Sequence, residues 1–450
     1  MTSENTAHFV AVIGGATAGA EVANRLAERG VSVFVFEQNV RPYGKIEDGL
    51  PRWHEALRKK EYDTIDGKLS KPGVSFVPST KIGRDVDFKD LVSEWGFSAV
   101  VLANGAWRDR SLPIEGADEY VGKGLVYQNP FVIAFNHAEV GDLPDASYDV
   151  IDGAMIVGGG LASIDVAKVH TLELTIKAMA ARGIETNVHE LEVKGIPKIL
   201  EKHGLEWSDL GLEGATIYYR RRIEDMPLME IPSGADEARI AKVEAGRRRM
   251  VEKAMDKYRF KIEPLSAPDG LIVEDGRLVG LRFRRTKIEN GRVVMQDETY
   301  DARAPSIVSS IGSIPEPIEG IEMRGELFDF KDWDIGKLEG YPTVFSVGNV
   351  VTGKGNIVAS RKHATEVSKA AIEAYLGVGD DDSDRSQAAR GDAAENAASA
   401  TADHVADVLA SAAPPSAKQA EALRERVSAR HAEIGFEDYK SWMEKVGKPC

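Results

Sequence analysis

One pattern occurs twice in this chain, and the repetition constrains the fold more than any other feature. Residues 9–13, Phe-Val-Ala-Val-Ile, form an unbroken apolar run, as expected of a parallel strand buried on both faces. Gly14, Gly15, Ala16, Thr17, Ala18 and Gly19 turn into a predicted helix over 20–29 that closes at Gly30. A second apolar run over 31–36 then ends at Glu37 and Gln38. Strand, glycine turn, helix and strand, with a carboxylate roughly 20 residues on, is the arrangement that binds a dinucleotide. Glycines let backbone approach a pyrophosphate, the helix N-terminus offers unpaired N–H groups, and Glu37 can accept from ribose hydroxyls. The middle glycine of G-x-G-x-x-G is Ala16, so this approach carries one extra methyl. Residues 154–157 form another apolar strand, followed by Gly158, Gly159, Gly160, Leu161, Ala162 and Ser163, a G-x-G-x-x-S turn opening a second helix. An ordinary tight turn explains either pattern singly; both in the same context predict two dinucleotide-binding units.

A length of 450 residues suits two domains plus an appendage. Net charge of −15 argues against a nucleic-acid binder relying on a broad basic surface. No apolar stretch is long enough to span a bilayer, and residues 1–6 have neither the basic nor the apolar region of a signal peptide, so cytoplasm is the expected compartment. The one cysteine is Cys450, which excludes a Cys-x-x-Cys pair, an intrachain disulfide and a cysteine-ligated cluster. Redox chemistry here must use bound cofactors, with onward transfer to a small molecule or a separate protein. The histidines lack metal-ligand spacing, and no metal is expected.

After Glu37, residues 41–54 read Arg-Pro-Tyr-Gly44-Lys45-Ile46-Glu-Asp-Gly-Leu-Pro-Arg-Trp53-His54. This segment resembles the one that follows the FAD-binding strand in adrenodoxin reductase-type ferredoxin–NADP reductases and in the small subunit of bacterial glutamate synthase. The resemblance implies that the stretch lies beside the isoalloxazine ring. Lys45 departs from the usual apolar residue; it either faces the flavin or points to solvent. His54 matches a histidine of the adrenodoxin reductase group, with a role near the flavin or nicotinamide as one reading and a hydrogen-bonded structural histidine as the other. A strand over 97–102 runs into Ala103, Asn104, Gly105 and Ala106, resembling the family's A-T-G-A turn with Asn104 for threonine. Pro113-Ile114-Glu115-Gly116 matches its P-[IV]-x-G.

The second fingerprint opens what the resemblance implies is an inserted pyridine-nucleotide domain, with a long helical insertion over 171–214. The strand over 215–219 ends in Arg220, Arg221 and Arg222. Arginine at this tip suits the dianionic 2′-phosphate of NADP(H), whereas a carboxylate suits NAD(H). The Y-R-R-x₄-M-P pattern is similar to the glutamate synthase small subunit and implies Arg220 and Arg221 as phosphate ligands; a solvated basic turn is the bland reading. Residues 235–257 form a charged helix with Arg239, Lys242, Arg247, Arg248 and Arg249. The resemblance implies a docking face for an acidic ferredoxin, and the alternative is a solvated helix paired with Glu237, Glu244 and Glu252. Glu230, or less well Glu237, is the candidate acidic partner near the nicotinamide. Residues 306–313, ending at Gly312, resemble the return crossover. Gly348, Asn349, Gly355, Asn356 and Ile357 resemble the closing flavin motif, with Asn349 where an aspartate usually binds the ribityl chain.

Past 376 comes an acidic break, Ala- and Asp-rich sequence, and an amphipathic segment over 417–432. Phe436, Tyr439, Trp442 and Met443 then form a helical apolar stripe. The stripe packs on the body, on a second copy as a homodimer, or on a partner. The expected fold is α/β: two Rossmann-like domains, an FAD domain (1–125 and 316–376) with an inserted NADP domain (126–315), plus a helical C-terminal extension (377–450). The expected function is an FAD-dependent oxidoreductase passing electrons between NADPH and a ferredoxin or similar iron–sulfur protein. A diaphorase-like subunit of a larger complex, or a non-catalytic nucleotide-binding scaffold, are the alternatives.

Overall fold

In the computed structural model the described residues are 8–138, 148–232, 234–353, 355–378 and 414–449. Cys450, Lys354 and the acidic break after Val378 lie outside them. The chain divides into two compact units, one of residues 1–50, 55–108 and 313–450, the other of 51–54 and 109–312.

The first unit is built on five parallel strands in the order Val344–Ser346, Ala99–Leu102, Phe9–Ile13, Ser32–Phe36 and Val74–Val77. Because strand side chains alternate in direction, the run 9–13 feeds two cores. Val10 and Val12 join Val33, Val35 and Val101 beneath the helices Thr17–Glu28 and Glu55–Leu69. Phe9, Ala11 and Ile13 join Phe34, Phe36, Val100 and Leu102 on the other face. Apolar burial on both faces is what makes the run continuous rather than alternating.

The C-terminal extension belongs to this unit. Its helix Ala417–Ile434 contributes Ala420, Leu423 and Val427 to one core, and Trp442 and Met443 of the helix Tyr439–Val446 enter the other. The tail thus passes round the edge strand Val74–Val77, where His431 Nε2 meets the Phe76 carbonyl at 2.8 Å. The apolar stripe packs on its own body, Trp442 and Met443 fully and Phe436 and Tyr439 in part.

The second unit carries a parallel sheet in the order Leu125–Tyr127, Ile307–Ser310, Met155–Gly158, Thr216–Tyr218 and Lys261–Glu263. A three-stranded antiparallel sheet, Ser266–Glu274, Arg277–Glu289 and Arg292–Arg303, accompanies it. The insertion over 171–214 extends the helix Leu161–Ala180 and adds the helices Val188–Lys194 and Ile196–Lys202. The division falls at 108/109 and 312/313 rather than the expected 125/126 and 315/316. The physical reason is that Leu125–Tyr127 pairs with Ile307–Ser309 inside the second sheet and carries the residues before it along. Among the described residues no helix is long and apolar enough to cross a membrane.

Candidate functional site

In the first unit a crevice opens at the carboxyl ends of the parallel strands, where open α/β sheets bind ligands. It encloses about 620 Å³, including the part open to solvent, and Gly14, Ala16, Glu37, Gln38, Gly44, Ala103 and Asn104 line it. The helix Thr17–Glu28 points its N-terminus here, and its N-cap residue, Ala16, supplies no side-chain hydrogen bond, so the first-turn amides are available to an anion. Close packing explains the glycines. A Cβ on Gly14 (φ +100°) would lie 2.6 Å from the Ala103 carbonyl oxygen, and one on Gly19 would lie 1.8 Å from that of Gly14. The Ala16 methyl is accommodated by Gly44 (φ +51°), whose own Cβ would come within 2.9 Å of it.

Glu37 is buried, its Oε2 accepting from the Gly15 N–H at 2.8 Å and its Oε1 from the Asn39 N–H at 2.9 Å. Burial pushes its carboxyl up to about 7, against the opposing pull of those two amides. Asn104 Oδ1 and Asn349 Oδ1 are both buried without a hydrogen-bond partner among the described residues. Such acceptors are costly to leave unmet, and both lie just beyond the carboxyl ends of strands. Gly348 donates its N–H to His363 Nδ1 at 3.0 Å and sits against the Ala18 methyl. Burial lowers the His363 pKa, in keeping with a neutral ring that accepts at Nδ1.

The other expected site residues take varied positions. Ile46 is buried in the core beneath the helices. Lys45 does not simply point to solvent: its Nζ donates to Ser313 Oγ at 3.1 Å and lies 5.6 Å from the Trp107 ring centroid. Gly105 (φ +69°) turns the chain beside Trp107. Gly355 is exposed, and Asn356 caps the helix Ile357–Val367 by accepting from Ala359 N, which ties up one amide expected to face the flavin. Trp53 is buried in the second unit against Phe135, with Lys168 Nζ 4.6 Å from its ring. His54, partly buried, follows it in the same unit. Missed from sequence were Thr80, Lys81, Trp107 and Ile318, which also line the crevice. The one signal was that Thr80 and Trp107 follow closely on strand ends.

The second glycine turn is built alike. The helix Leu161–Ala180 begins at Gly160 with no side-chain cap, and Leu161 is exposed at its mouth beside Ala162. A Cβ on Gly158 would lie 2.2 Å from the Ser310 carbonyl oxygen. Gly159, not singled out from sequence, lies against the Tyr219 ring, 2.1 Å from where its Cβ would be. Ser163 is fully buried and donates to Ser310, which bonds Gln128 in turn; its hydroxyl therefore joins helix to strand rather than facing a ligand.

The three arginines at the tip of Thr216–Tyr218 have separate fates. Arg222 forks onto Asp225 at 3.0 and 2.9 Å. Arg221 donates to the Gly291 carbonyl at 3.1 Å. Arg220 is exposed; its carbonyl accepts from Thr286 Oγ1 at 2.8 Å, and its side chain makes no hydrogen bond or ion pair among the described residues. On the helix Glu237–Tyr258, Arg247 is buried, donating to the Met229 and Glu224 carbonyls, and Arg248 pairs with Glu224 at 2.7 Å. These two brace the 224–229 loop instead of pairing along their own helix, while Arg239, Lys242, Arg249 and Glu230 are exposed. Gly312 (φ +104°) accepts from the Arg110 N–H at 3.0 Å where the chain leaves this unit. A small hollow lined by Gly153, Gly214, Thr216 and Lys261 lies at the amino ends of this sheet, the end opposite to that used for nucleotides.

Residues 8–208 match the family described as pyridine nucleotide-disulphide oxidoreductase. The match covers a little under half of the chain. The small chain of glutamate synthase [NADPH] from Mycobacterium tuberculosis is 24% identical over 393 residues, 82% of this chain and 67% of that protein. Its counterpart from Bacillus subtilis is 30% identical over 168 residues, 37% of this chain and 33% of its own length. In fold, the chain is similar to Mycobacterium tuberculosis FprA solved in complex with NADPH, with a TM-score of 0.63, 20% identity and 91% of each chain covered. The family description includes a disulfide, but the single cysteine here leaves no intrachain pair to exchange.

Proposed function

We propose that this chain is an FAD-dependent NADPH oxidoreductase that passes electrons between NADPH and a ferredoxin-like iron–sulfur protein. One observation carries the reading: a single chain holds two strand–glycine–helix cradles with uncapped helix N-termini, and among the described residues only the second is flanked by an arginine whose side chain is unengaged. The first cradle fits FAD. Amides of the helix Thr17–Glu28 would receive the pyrophosphate, Glu37 the ribose hydroxyls, and the partnerless oxygens of Asn104 and Asn349 the donors of the flavin and its ribityl chain.

The second cradle fits NADPH, with its pyrophosphate at the helix Leu161–Ala180 and its 2′-phosphate on Arg220, assisted by Arg221. The likeness to FprA, whose structure was solved with NADPH, supports this choice. His54 and Glu230 are proposed near the nicotinamide. FAD, when bound, would supply the chemistry, namely hydride acceptance and release of single electrons. The chain's own work is to bind and orient. With a single cysteine in the chain, the onward carrier is external.

The two orphaned acceptors argue against a scaffold that binds no flavin. Packing of the C-terminal stripe on its own body favours a free enzyme over a complex subunit docked through that stripe. The test is anaerobic mixing with NADPH or NADH while the flavin band is followed. NADPH is expected to bleach it at far lower concentration, and Arg220→Ala to erase about 10- to 100-fold of that preference, as loss of a charge-assisted contact implies. Equal bleaching of the unmodified protein by both nucleotides at low concentration refutes the NADPH assignment.

A further inference from the structure

We propose that Arg430, in the C-terminal helix Ala417–Ile434, is a positioning residue for the nucleotide end of the first crevice. This rests on the FAD reading above and extends it to a part of the chain that the sequence resemblance does not reach. The loop after the edge strand Val74–Val77 brings Thr80 and Lys81 into the crevice wall. To do so Ser79 adopts φ +51°, a left-handed backbone that is sterically disfavoured for a residue with a Cβ. Something must hold it there.

Arg430 Nη2 donates to the Ser79 carbonyl at 2.7 Å, and Nε donates to Thr80 Oγ1 at 2.9 Å. Thr80 is almost wholly buried, passes its own hydroxyl proton to the Pro78 carbonyl, and donates its N–H to the Glu37 carbonyl at 2.7 Å. One guanidinium is therefore two hydrogen bonds from the backbone of the residue expected to bind the ribose. Its charge is balanced by Glu433 at 2.8 Å and Asp85 at 3.7 Å. The facing loop is tied to the same tail: Trp442 Nε1 donates to the Val40 carbonyl at 2.8 Å, Arg41 reaches the Val446 carbonyl at 3.4 Å, and Ser79 N–H bridges to the Asn39 carbonyl at 3.1 Å. The tail thus fastens both loops that flank Glu37, and Arg430 is the contact that bears on the strained one.

The test uses the full chain freed of nucleotide. FAD binding is followed by quenching of flavin fluorescence, with 2′,5′-ADP binding and the thermal midpoint of the unliganded chain as references. Arg430→Ala is expected to weaken FAD binding about tenfold, since it removes a charge-assisted pair of bonds that shape the site. Arg430→Lys, reaching one acceptor at a time, is expected to recover part of the loss. Affinity for 2′,5′-ADP and the thermal midpoint are expected to stay as in the unmodified chain. Unchanged FAD affinity in Arg430→Ala overturns the proposal. So does a parallel loss of both nucleotides with a lowered midpoint, which makes Arg430 a general brace. If the unmodified chain binds 2′,5′-ADP but no FAD, the FAD reading itself fails and takes this inference with it.

Discussion

Replacing Glu37 with glutamine tests the electrostatics of the first crevice without enlarging it. The folded protein holds this carboxyl's proton up to about pH 7, against an ordinary value of 4.5. Between those two values the folded state binds more protons than the unfolded one, so this group's contribution to stability falls as pH rises through the window. At about 1.4 kcal/mol per pH unit, the unliganded chain should lose about 3 kcal/mol from Glu37 between pH 4 and pH 8. Glutamine cannot ionise, so it escapes that loss. Its amide oxygen can still accept from Gly15, but its NH₂ then faces the Asn39 N–H, leaving one buried donor unmet at a cost of about 1–2 kcal/mol. The two stability curves should therefore cross: Glu37→Gln less stable at pH 5 and more stable at pH 8. Urea unfolding of both proteins at several pH values, compared as a difference, isolates this group from the others that titrate. Parallel curves would refute the argument, because they would mean that Glu37 is ionised throughout and that its two amide bonds outweigh its burial.

Two further outcomes follow from the same unit. Gly44→Ala puts a Cβ at φ +51° and 2.9 Å from the Ala16 methyl, which should cost about 2–4 kcal/mol in denaturant unfolding; adding Ala16→Gly should restore the clash portion but not the backbone portion, so a double-mutant cycle without coupling counts against this contact. His363 is held neutral while accepting from Gly348. His363→Ala should then cost about 1 kcal/mol at pH 8 and less below pH 6.5, because a lowered histidine pKa makes the native protein lose stability as pH falls through the unfolded value; a cost that grows on acidification would contradict it.

What the sequence disclosed, and what it hid, divides along physical lines. The strand Phe9–Ile13 was legible because both of its faces are buried, leaving no polar position to interrupt the run. The glycines of both turns were legible because any Cβ at Gly14, Gly19 or Gly158 meets backbone oxygen within 2.6 Å. The unit boundary was not, because Leu125–Tyr127 has three residues and too short a run to show a period; only its pairing with Ile307–Ser309, far along the chain, assigns it. Thr80, Lys81 and Ile318 were hidden for the same reason, since they reach the crevice through long-range topology. Ser163 was misread because its motif position suggested a ligand contact, whereas its hydroxyl is consumed by Ser310, 147 residues away.

The departures from the family pattern carry their own consequence. Asn104 and Asn349 stand where threonine and aspartate were expected, and their buried, partnerless oxygens keep an acceptor at each position while removing any charge. An amide does not titrate, so neither can make flavin binding depend on pH. Glu37, by contrast, sits at about 7. If the crevice holds FAD as proposed, the pH dependence contributed by these three residues must come from Glu37 alone, and restoring aspartate at 349 should add a second, acid-side dependence that the present chain lacks. Measuring FAD affinity from pH 5 to pH 9 in both proteins checks this; an Asn349→Asp profile superimposable on the original would show that position 349 does not face the cofactor.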